Sequence, residues 1–168
     1  SVNEKVSLEV ALGASMAGSR SFCAMKHVGM NVASDTLMTM TLTGVVGGLV
    51  IAIADDVGLS SSQNEQDSRY WGRFAHVPLF EPADSQEAHD FTLAAFELSE
   101  RFEVPVILRL TTRICHVKGL VTTGERHERP AMGFTKDVNR WVMVPSGAGR
   151  RLPLMFERER RLRAEADR

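Results

Sequence analysis

Leu49-Val50-Ile51-Ala52-Ile53-Ala54 is a continuous apolar run of strand length, and two carboxylates, Asp55-Asp56, follow it at once. A strand that is buried on one face alternates apolar and polar residues. A run with no polar position is typical of a strand that is covered on both faces, as in parallel sheets. The stretch therefore predicts an α/β fold, with a mostly parallel sheet and helices on both faces.

The remaining pattern alternates helices with short apolar strands on either side of this run, as the α/β class requires. The first helix is apolar around most of its circumference, which predicts that it is buried. We expect residues 1–149 to form one α/β domain and residues 150–168 to form a charged linker helix that leads to a further domain. The predicted strands are 21–25, 49–54, 78–80 and 104–110, and the predicted helices are 2–18, 31–42, 84–101 and 154–167, with an extended piece at 141–144.

The composition is that of an ordinary globular domain, with 168 residues, 43% hydrophobic and 24% charged. A formal net charge of −1 gives no electrostatic basis for binding nucleic acid. No apolar run approaches the roughly 20 residues of a membrane helix, so we predict no membrane contact. The two cysteines, Cys23 and Cys115, form no C-x-x-C pair, which argues against a zinc or iron–sulfur site made by this chain's own thiols. Cys23 lies in an apolar run and is expected to be buried.

Polar residues stand where three of the predicted strands end: Lys26-His27, Asp55-Asp56 and Thr111-Thr112-Arg113. Ligands of open parallel sheets bind beyond the carboxyl ends of the strands, and these ends share one edge of the sheet. The polar loop at 60–67, S-S-S-Q-N-E-Q-D, follows one of these ends. The sequence therefore places the site at this edge.

Several common chemistries lack their motifs in this sequence. There is no G-x-G-x-x-G after a strand, no G-x-x-x-x-G-K-[ST] phosphate loop and no G-x-S-x-G nucleophile elbow. The serines at 60–62 have no histidine–acid pair near them in the pattern, which disfavours a serine nucleophile.

Three stretches resemble the pyrimidine-binding domain of the 2-oxoacid:ferredoxin oxidoreductases. They are S-V-N-E-K at 1–5 with its alanine-rich helix, M-K-H-V-G-M-N-V-A at 25–33, and A-D-D-V-G-L-S-S-S-Q-N-E-Q-D-S-R at 54–69. Within the family the likeness is closest to the α subunit of the indolepyruvate type, and it covers nearly the whole chain. The family's domain has a further strand and helix before the glutamate, and more domains follow. The resemblance therefore implies an N-terminally truncated fragment that is inactive alone.

The resemblance implies a role for Glu4 in binding thiamine diphosphate. In this family the matching glutamate pairs with N1′ of the aminopyrimidine ring, which favours the tautomer whose 4′-nitrogen removes the C2 proton of the cofactor. By the same likeness Lys26 approaches the cofactor, His27 is a second catalytic residue, and Asn31 is a candidate ligand of the cofactor or the substrate. The alternatives are structural: Glu4 as an acid in the first turn of a helix, Asn31 as a helix cap, and Lys26-His27 as a solvated loop.

Substrate binding is assigned by the resemblance to Lys26, His27 and an arginine in the 69–73 region. Guanidinium matches a carboxylate with two parallel hydrogen bonds, so Arg69 and Arg73 are the candidates for holding the 2-oxoacid carboxylate. The sequence does not decide between these two arginines. Nor does it fix the 2-oxoacid, and a pyruvate or 2-oxoglutarate enzyme of the same family stays an alternative.

The implied reaction is oxidative decarboxylation of indolepyruvate or another aryl 2-oxoacid to an acyl-CoA, with electrons passed to ferredoxin. In the family a separate domain with a G-D-G…N pattern holds Mg²⁺ and the diphosphate. No G-D-G occurs here, so no metal is assigned to this chain. The 4Fe-4S clusters are likewise expected elsewhere in a cytoplasmic parent enzyme. The implied partners are the diphosphate-binding domain and a second subunit, in a homo- or hetero-oligomer such as a dimer. The remaining alternative is a non-catalytic α/β module for dimerisation or regulation.

Overall fold

The apolar run at 49–54 lies in the interior of a four-stranded sheet in the computed structural model, which describes residues 2–126 and 128–166. Ser1, which precedes the predicted first helix, and residues 167–168, at the end of the predicted linker, lie outside the described residues. The strands stand in the order β1-β2-β4-β3 and every pair is parallel, which confirms the predicted α/β class. They are β1 (Ser21–Lys26), β2 (Leu49–Asp55), β3 (Leu79–Phe80) and β4 (Val106–Thr111).

Helices cover both faces of this sheet, as predicted. On one face Ile51 and Ile53 pack with Leu8 and Met30 from the first two helices. On the other face Val50 and its neighbours on β4 pack with Ala95. The described helices are α1 (Glu4–Met16), α2 (His27–Thr43), α3 (Arg69–Ala75), α4 (Ser85–Phe102), α5 (Thr112–His116), α6 (Val138–Trp141) and α7 (Pro145–Ala166).

The first helix is less buried than its composition predicts. Leu8 and Ala11 are buried, but Val6 and Val10 on the opposite side are 46% and 67% exposed. The expectation of a helix that is buried all round is therefore wrong for this chain. Only the side of α1 that faces α2 and β1 is covered.

Two element boundaries differ from the sequence-based prediction. α2 begins at His27, directly after the last residue of β1, so no loop separates them. Within the predicted extended piece at 141–144, Trp141 is the last residue of the short helix α6, which Asp137 caps by accepting hydrogen bonds from the N–H groups of Asn139 and Arg140. Val142 is extended, and residues 142–144 belong to neither a helix nor a strand. α7 begins at Pro145, a residue suited to the first turn of a helix. The proposed domain boundary after residue 149 falls inside α7, and that division stays a prediction.

Three arginines hold the C-terminal end of α2, the helix whose other end reaches the carboxyl edge of the sheet. Arg140 and Arg151 donate to the main-chain oxygen of Thr43 at 3.0 and 3.1 Å, and Arg158 donates to that of Thr41. Cations at this end satisfy free carbonyls and complement the helix dipole. Burial lowers the pKa of Arg158 to about 10. α6 and α7 are thus fastened to α2 through guanidinium groups.

Candidate cofactor and substrate site

The carboxyl ends of β1, β2 and β4 lie side by side. In the sheet register the last residue of β1 lies opposite Ala54, and Asp55 lies opposite Thr111. Thr112 donates its hydroxyl to the main-chain oxygen of Asp55 and to the carboxylate of Asp56, at 3.2 Å each. The polar strand ends therefore share one edge, as predicted.

Glu4 is the first residue of α1, and its side chain lies against the first turn of α2. Asn3 caps α1 by accepting a hydrogen bond from the N–H of Lys5 at 2.9 Å, so Glu4 does not serve as the cap. Across residues 2–126 and 128–166 the half-buried Glu4 carboxylate has no hydrogen-bond or ion-pair partner. The N-terminal ends of two helices meet at this carboxylate, and each favours negative charge there.

A glycine makes room for Glu4. A Cβ atom on Gly29 would lie 2.5 Å from Cγ of Glu4, closer than real Cβ atoms approach other atoms, and at a tight 3.0 Å from its Cδ and Oε1. Gly29 has ordinary helical backbone geometry, so its conformation does not require glycine. Glycine inside a helix costs about 0.5–1 kcal/mol relative to alanine. The absence of a side chain at this position is what admits the carboxylate.

Lys26 and His27 both contact the polar loop that follows β2. Nζ of Lys26 donates to the main-chain oxygen of Ser61 at 2.8 Å. The buried ring of His27 has Nδ1 3.3 Å from the oxygen of Ala54 and Nε2 3.1 Å from that of Asn64. A neutral imidazole has one N–H and donates to only one of these carbonyls. In this arrangement Lys26 and His27 hold the loop after β2 in place through main-chain oxygens. Their catalytic and substrate-binding roles stay predictions.

Asp56 closes the start of the same loop. Its carboxylate accepts hydrogen bonds from the hydroxyl of Ser62 and from the N–H groups of Ser61 and Ser60, at 2.5, 2.7 and 3.2 Å. The Ser62 hydroxyl contributes most, followed by the Ser61 N–H, and together with Thr112 they lower the pKa of Asp56 to about 2. The ionised carboxylate is therefore the form that orders residues 56–62.

The loop is expected to loosen in acid. Because the pKa of Asp56 is lower in the fold than its ordinary value of 3.8, its stabilising contribution is complete above about pH 4 and is lost as the pH falls through 2. Asp56→Asn is expected to loosen residues 57–62 already at neutral pH. Amide hydrogen exchange, corrected for the intrinsic rate at each pH, measures both effects. Asp90→Asn on the surface of α4 is the matched control, and equal protection of the loop in Asp56→Asn and wild type would contradict the assignment.

Arg69 and Arg73 lie on successive turns of α3. Asp67 accepts from Nε of Arg69 at 2.8 Å and from Nη2 at 2.6 Å, and these hydrogen bonds lower the pKa of Asp67 to about 2. Arg73 is exposed and has no hydrogen-bond or ion-pair partner in the part of the chain that the structure describes. Both arginines line a groove of about 1170 Å³ bounded by α3, α4, α7 and residues 77–80. Glu4, Lys26 and His27 do not line that groove.

Asn31 lies in the interior of α2, with its side chain exposed. The interpretation of Asn31 as a helix cap is wrong, because α2 begins four residues earlier and Lys26 occupies the N-cap position. The predicted contact of Asn31 with the cofactor stays a prediction.

Sequence reasoning missed two residues near this edge: Gly29, in the first turn of α2, and Arg109, in the interior of β4. No sequence pattern singles out Gly29, since its importance depends on the position of the Glu4 side chain in the folded domain. Arg109 did give a signal: it stands in the apolar strand segment V-I-L-R-L, where a charged side chain on a strand covered on both faces needs a buried partner. That partner is Asp55, at 2.7 Å.

In the described ranges 2–126 and 128–166, no group of three or more His, Cys, Asp and Glu residues is arranged to hold a metal ion. None of the helices in these ranges combines the length and the apolar character that a membrane crossing requires.

Comparison with known proteins identifies relatives of this chain. It is 50% identical over 168 residues to indolepyruvate oxidoreductase subunit IorA of Methanothermobacter thermautotrophicus, which covers 99% of this chain and 27% of the relative. The corresponding subunit of Thermococcus kodakarensis is 47% identical over 171 residues, covering 98% of this chain and 26% of the relative. The chain thus spans about a quarter of the length of the curated relatives it matches.

A solved structure shares the fold. It is the 2-oxoglutarate:ferredoxin oxidoreductase from Magnetococcus marinus with 2-oxoglutarate, coenzyme A and succinyl-CoA bound. The TM-score is 0.58 at 20% sequence identity, over 66% of this chain and 20% of that one. At this identity the likeness is evidence for the fold alone.

The family model described as "Pyruvate flavodoxin/ferredoxin oxidoreductase, thiamine diP-bdg" matches residues 2–142, which include every strand of the sheet and the half-buried carboxylate of Glu4. The chain belongs to this family of thiamine diphosphate-binding domains of pyruvate flavodoxin/ferredoxin oxidoreductases.

Proposed function

We propose that this chain is the pyrimidine-binding part of a thiamine diphosphate-dependent oxidoreductase that acts on indolepyruvate or a related aryl 2-oxoacid. The observation that carries the proposal is the half-buried Glu4 carboxylate, which has no partner in the described residues and lies at the N-terminal end of α2 in the space left by Gly29. The relatives named as indolepyruvate oxidoreductase subunits support the substrate class.

The residues present fit the aminopyrimidine end of the cofactor. A carboxylate that is partly removed from water and has no protein partner is suited to accept a hydrogen bond from a protonated ring nitrogen. Glu4 would hold the N1′ proton in this way and thereby set the tautomer of the ring. When bound, the cofactor supplies the electron sink that decarboxylation of a 2-oxoacid requires.

In this proposal two cations form the substrate side: Lys26 at the end of β1, and Arg69, whose neighbour Ser68 donates to Asp55 at the end of β2. Arg69 thus starts from the same edge of the sheet, although the groove that it lines does not include Glu4. Arg69 keeps N–H groups that Asp67 does not use, and these could bind the 2-oxoacid carboxylate in the bidentate manner. Lys26 gives one of its three N–H donors to Ser61 and has two others for an oxygen of the substrate. His27 would become a proton donor only if the loop carbonyls that it faces moved away.

The other parts of the reaction are assigned to protein outside this chain. Mg²⁺ and the diphosphate belong, in this proposal, to a separate domain, and 4Fe-4S clusters carry the electrons to ferredoxin. The acyl group is transferred to coenzyme A, and the second subunit completes a cytoplasmic oligomer.

The substrate assignment is tested by assaying the intact enzyme that contains this chain. With thiamine diphosphate, coenzyme A and ferredoxin present, we expect kcat/KM for indolepyruvate to exceed that for pyruvate or 2-oxoglutarate by at least about tenfold. Ferredoxin reduction and acyl-CoA formation are followed together. Faster turnover of pyruvate or 2-oxoglutarate would transfer the assignment to that substrate. Turnover that does not depend on thiamine diphosphate would refute the proposed function.

A further inference from the structure

Arg109 is a charged residue in the interior of the sheet. Its side chain is 6% exposed, and Nε donates to the fully buried carboxylate of Asp55 at 2.7 Å. Nη1 donates to Glu81, the residue that follows β3. Replacing a buried ion pair with apolar residues often leaves stability unchanged or raises it, so the pair is weak evidence for a role in stability. We therefore ask which parts of the structure this ion pair holds in position.

Asp55 connects Arg109 to the start of α3. The second oxygen of the Asp55 carboxylate accepts the hydroxyl of Ser68, and the N–H of Ser68 also donates to this carboxylate, at 2.9 Å. Ser68 is the N-cap residue of α3, yet its side chain makes no capping hydrogen bond within the helix. Serine at an N-cap usually accepts a hydrogen bond from the helix itself. Here the Ser68 hydroxyl instead donates to Asp55, the last residue of β2, so Asp55 sets the position of the start of α3.

Arg69 follows Ser68 directly and is held on its other side by Asp67. The Asp67 carboxylate binds the Nε and Nη2 groups of Arg69 and also lies 3.9 Å from Nε of Arg109. The edge of the Arg69 guanidinium formed by Nη1 and the second Nη2 proton makes no hydrogen bond with the described residues, and the Glu81 carboxylate attracts this guanidinium electrostatically. A carboxylate can bind this edge through two parallel hydrogen bonds.

We propose that Arg109 is a positioning residue for the substrate: through Asp55 and Ser68 it fixes the start of α3, and so places the free edge of the Arg69 guanidinium for the 2-oxoacid carboxylate. The inference rests on the proposed function, because it takes Arg69 as the carboxylate ligand. A guanidinium on an exposed helix end binds a substrate productively only when its support is rigid, and a buried ion pair anchored in β2 and β4 gives that support.

The test measures steady-state kinetics of the intact enzyme with Arg109→Met, Arg69→Ala and the double variant. Arg109→Met is expected to raise KM for the 2-oxoacid about 10- to 100-fold, with a smaller change in kcat. In the Arg69→Ala background Arg109→Met is expected to raise KM no further, since both act through one group. Hydrogen exchange of residues 60–72 is an independent readout, and Arg109→Met is expected to accelerate it.

Arg20→Met is the matched control, since Arg20 forms a partly buried pair with Glu100 at 2.7 Å and does not contact α3. It is expected to lower the melting temperature without raising KM. Ser68→Ala removes the hydroxyl that donates to Asp55 and keeps the Arg109–Asp55 ion pair. This variant therefore tests the positioning role if Arg109→Met does not fold. A rise in KM of severalfold in Ser68→Ala supports the proposal.

KM within twofold of wild type in both Arg109→Met and Ser68→Ala overturns the proposal, as does an additive effect in the double variant. An unchanged KM in Arg69→Ala also overturns it. The proposed function is tested separately by Glu4→Gln: if that variant loses turnover while Arg69→Ala keeps its KM, the thiamine assignment stands and only the positioning role fails.

Discussion

Glu4→Gln is expected to lower turnover of the intact enzyme by about 10²- to 10⁴-fold, the range that a positioned acid–base group contributes. Glutamine has the same shape but carries no negative charge to stabilise the proton on N1′ of the aminopyrimidine ring. The protein would therefore no longer set the tautomer of that ring. Turnover is measured as ferredoxin reduction with saturating thiamine diphosphate. Saturation separates a chemical defect from weaker cofactor binding.

The fold is expected to tolerate this change. Glu4 makes no hydrogen bond with any described residue, so its charge contributes to stability only through the helix ends, about 0.3–1 kcal/mol. Glu9→Gln, an exposed acid on the same helix and 4.0 Å from Lys5, is the matched control and is expected to leave turnover unchanged. If Glu4→Gln kept turnover within twofold of wild type, the alternative of a non-catalytic module would be favoured.

Gly29→Ala is expected to reduce turnover by about 10²-fold or more while leaving the protein as stable as before or more so. The added methyl would lie 2.5 Å from Cγ of Glu4, and the flexible glutamate would turn away from its place over α2. A displacement of about 1 Å in a catalytic group can cost this much. Alanine is also the better helix former, by about 0.5–1 kcal/mol. Activity and thermal unfolding of the intact enzyme measure these opposite effects.

The control for this variant is Gly13→Ala in α1. A Cβ atom on Gly13 would meet nothing within 4 Å, so alanine there is expected to stabilise the helix with no effect on turnover. Equal activities of the two variants would show that the space at Gly29 is not needed by Glu4. A fall in stability of Gly29→Ala alone would show that Glu4 cannot move aside.

Much of the fold could be predicted because it depends on short-range patterns. The unbroken apolar run from Leu49 to Ala54 indicated a strand covered on both faces, and this strand, β2, lies in the interior of the sheet. The polar strand ends were predicted to meet because parallel strands direct their carboxyl ends to one edge. Where the prediction failed, longer-range packing prevailed: Val6 and Val10 are exposed although α1 is apolar, since only one side of α1 meets other elements.

The residue roles at the site were predictable only in part. Glu4, Lys26 and His27 lie near one edge of the sheet, as expected, but the sequence did not predict the contacts that they make. The two ring nitrogens of His27 face main-chain oxygens 27 and 37 residues away in sequence. No local pattern encodes such pairs, because they depend on how the loop after β2 folds back over the start of α2.

The sequence by itself determined the parallel α/β fold and the place of Glu4 in the first turn of a helix, since periodicity, capping and burial act over a few neighbouring residues. Only the tertiary structure decided that Glu4 lies in the space above Gly29 and that Arg109 reaches Asp55 across 54 residues of chain. Those contacts depend on the register of β2 with β4 and on the approach of α1 to α2. Both are set by packing of the whole domain rather than by any single segment.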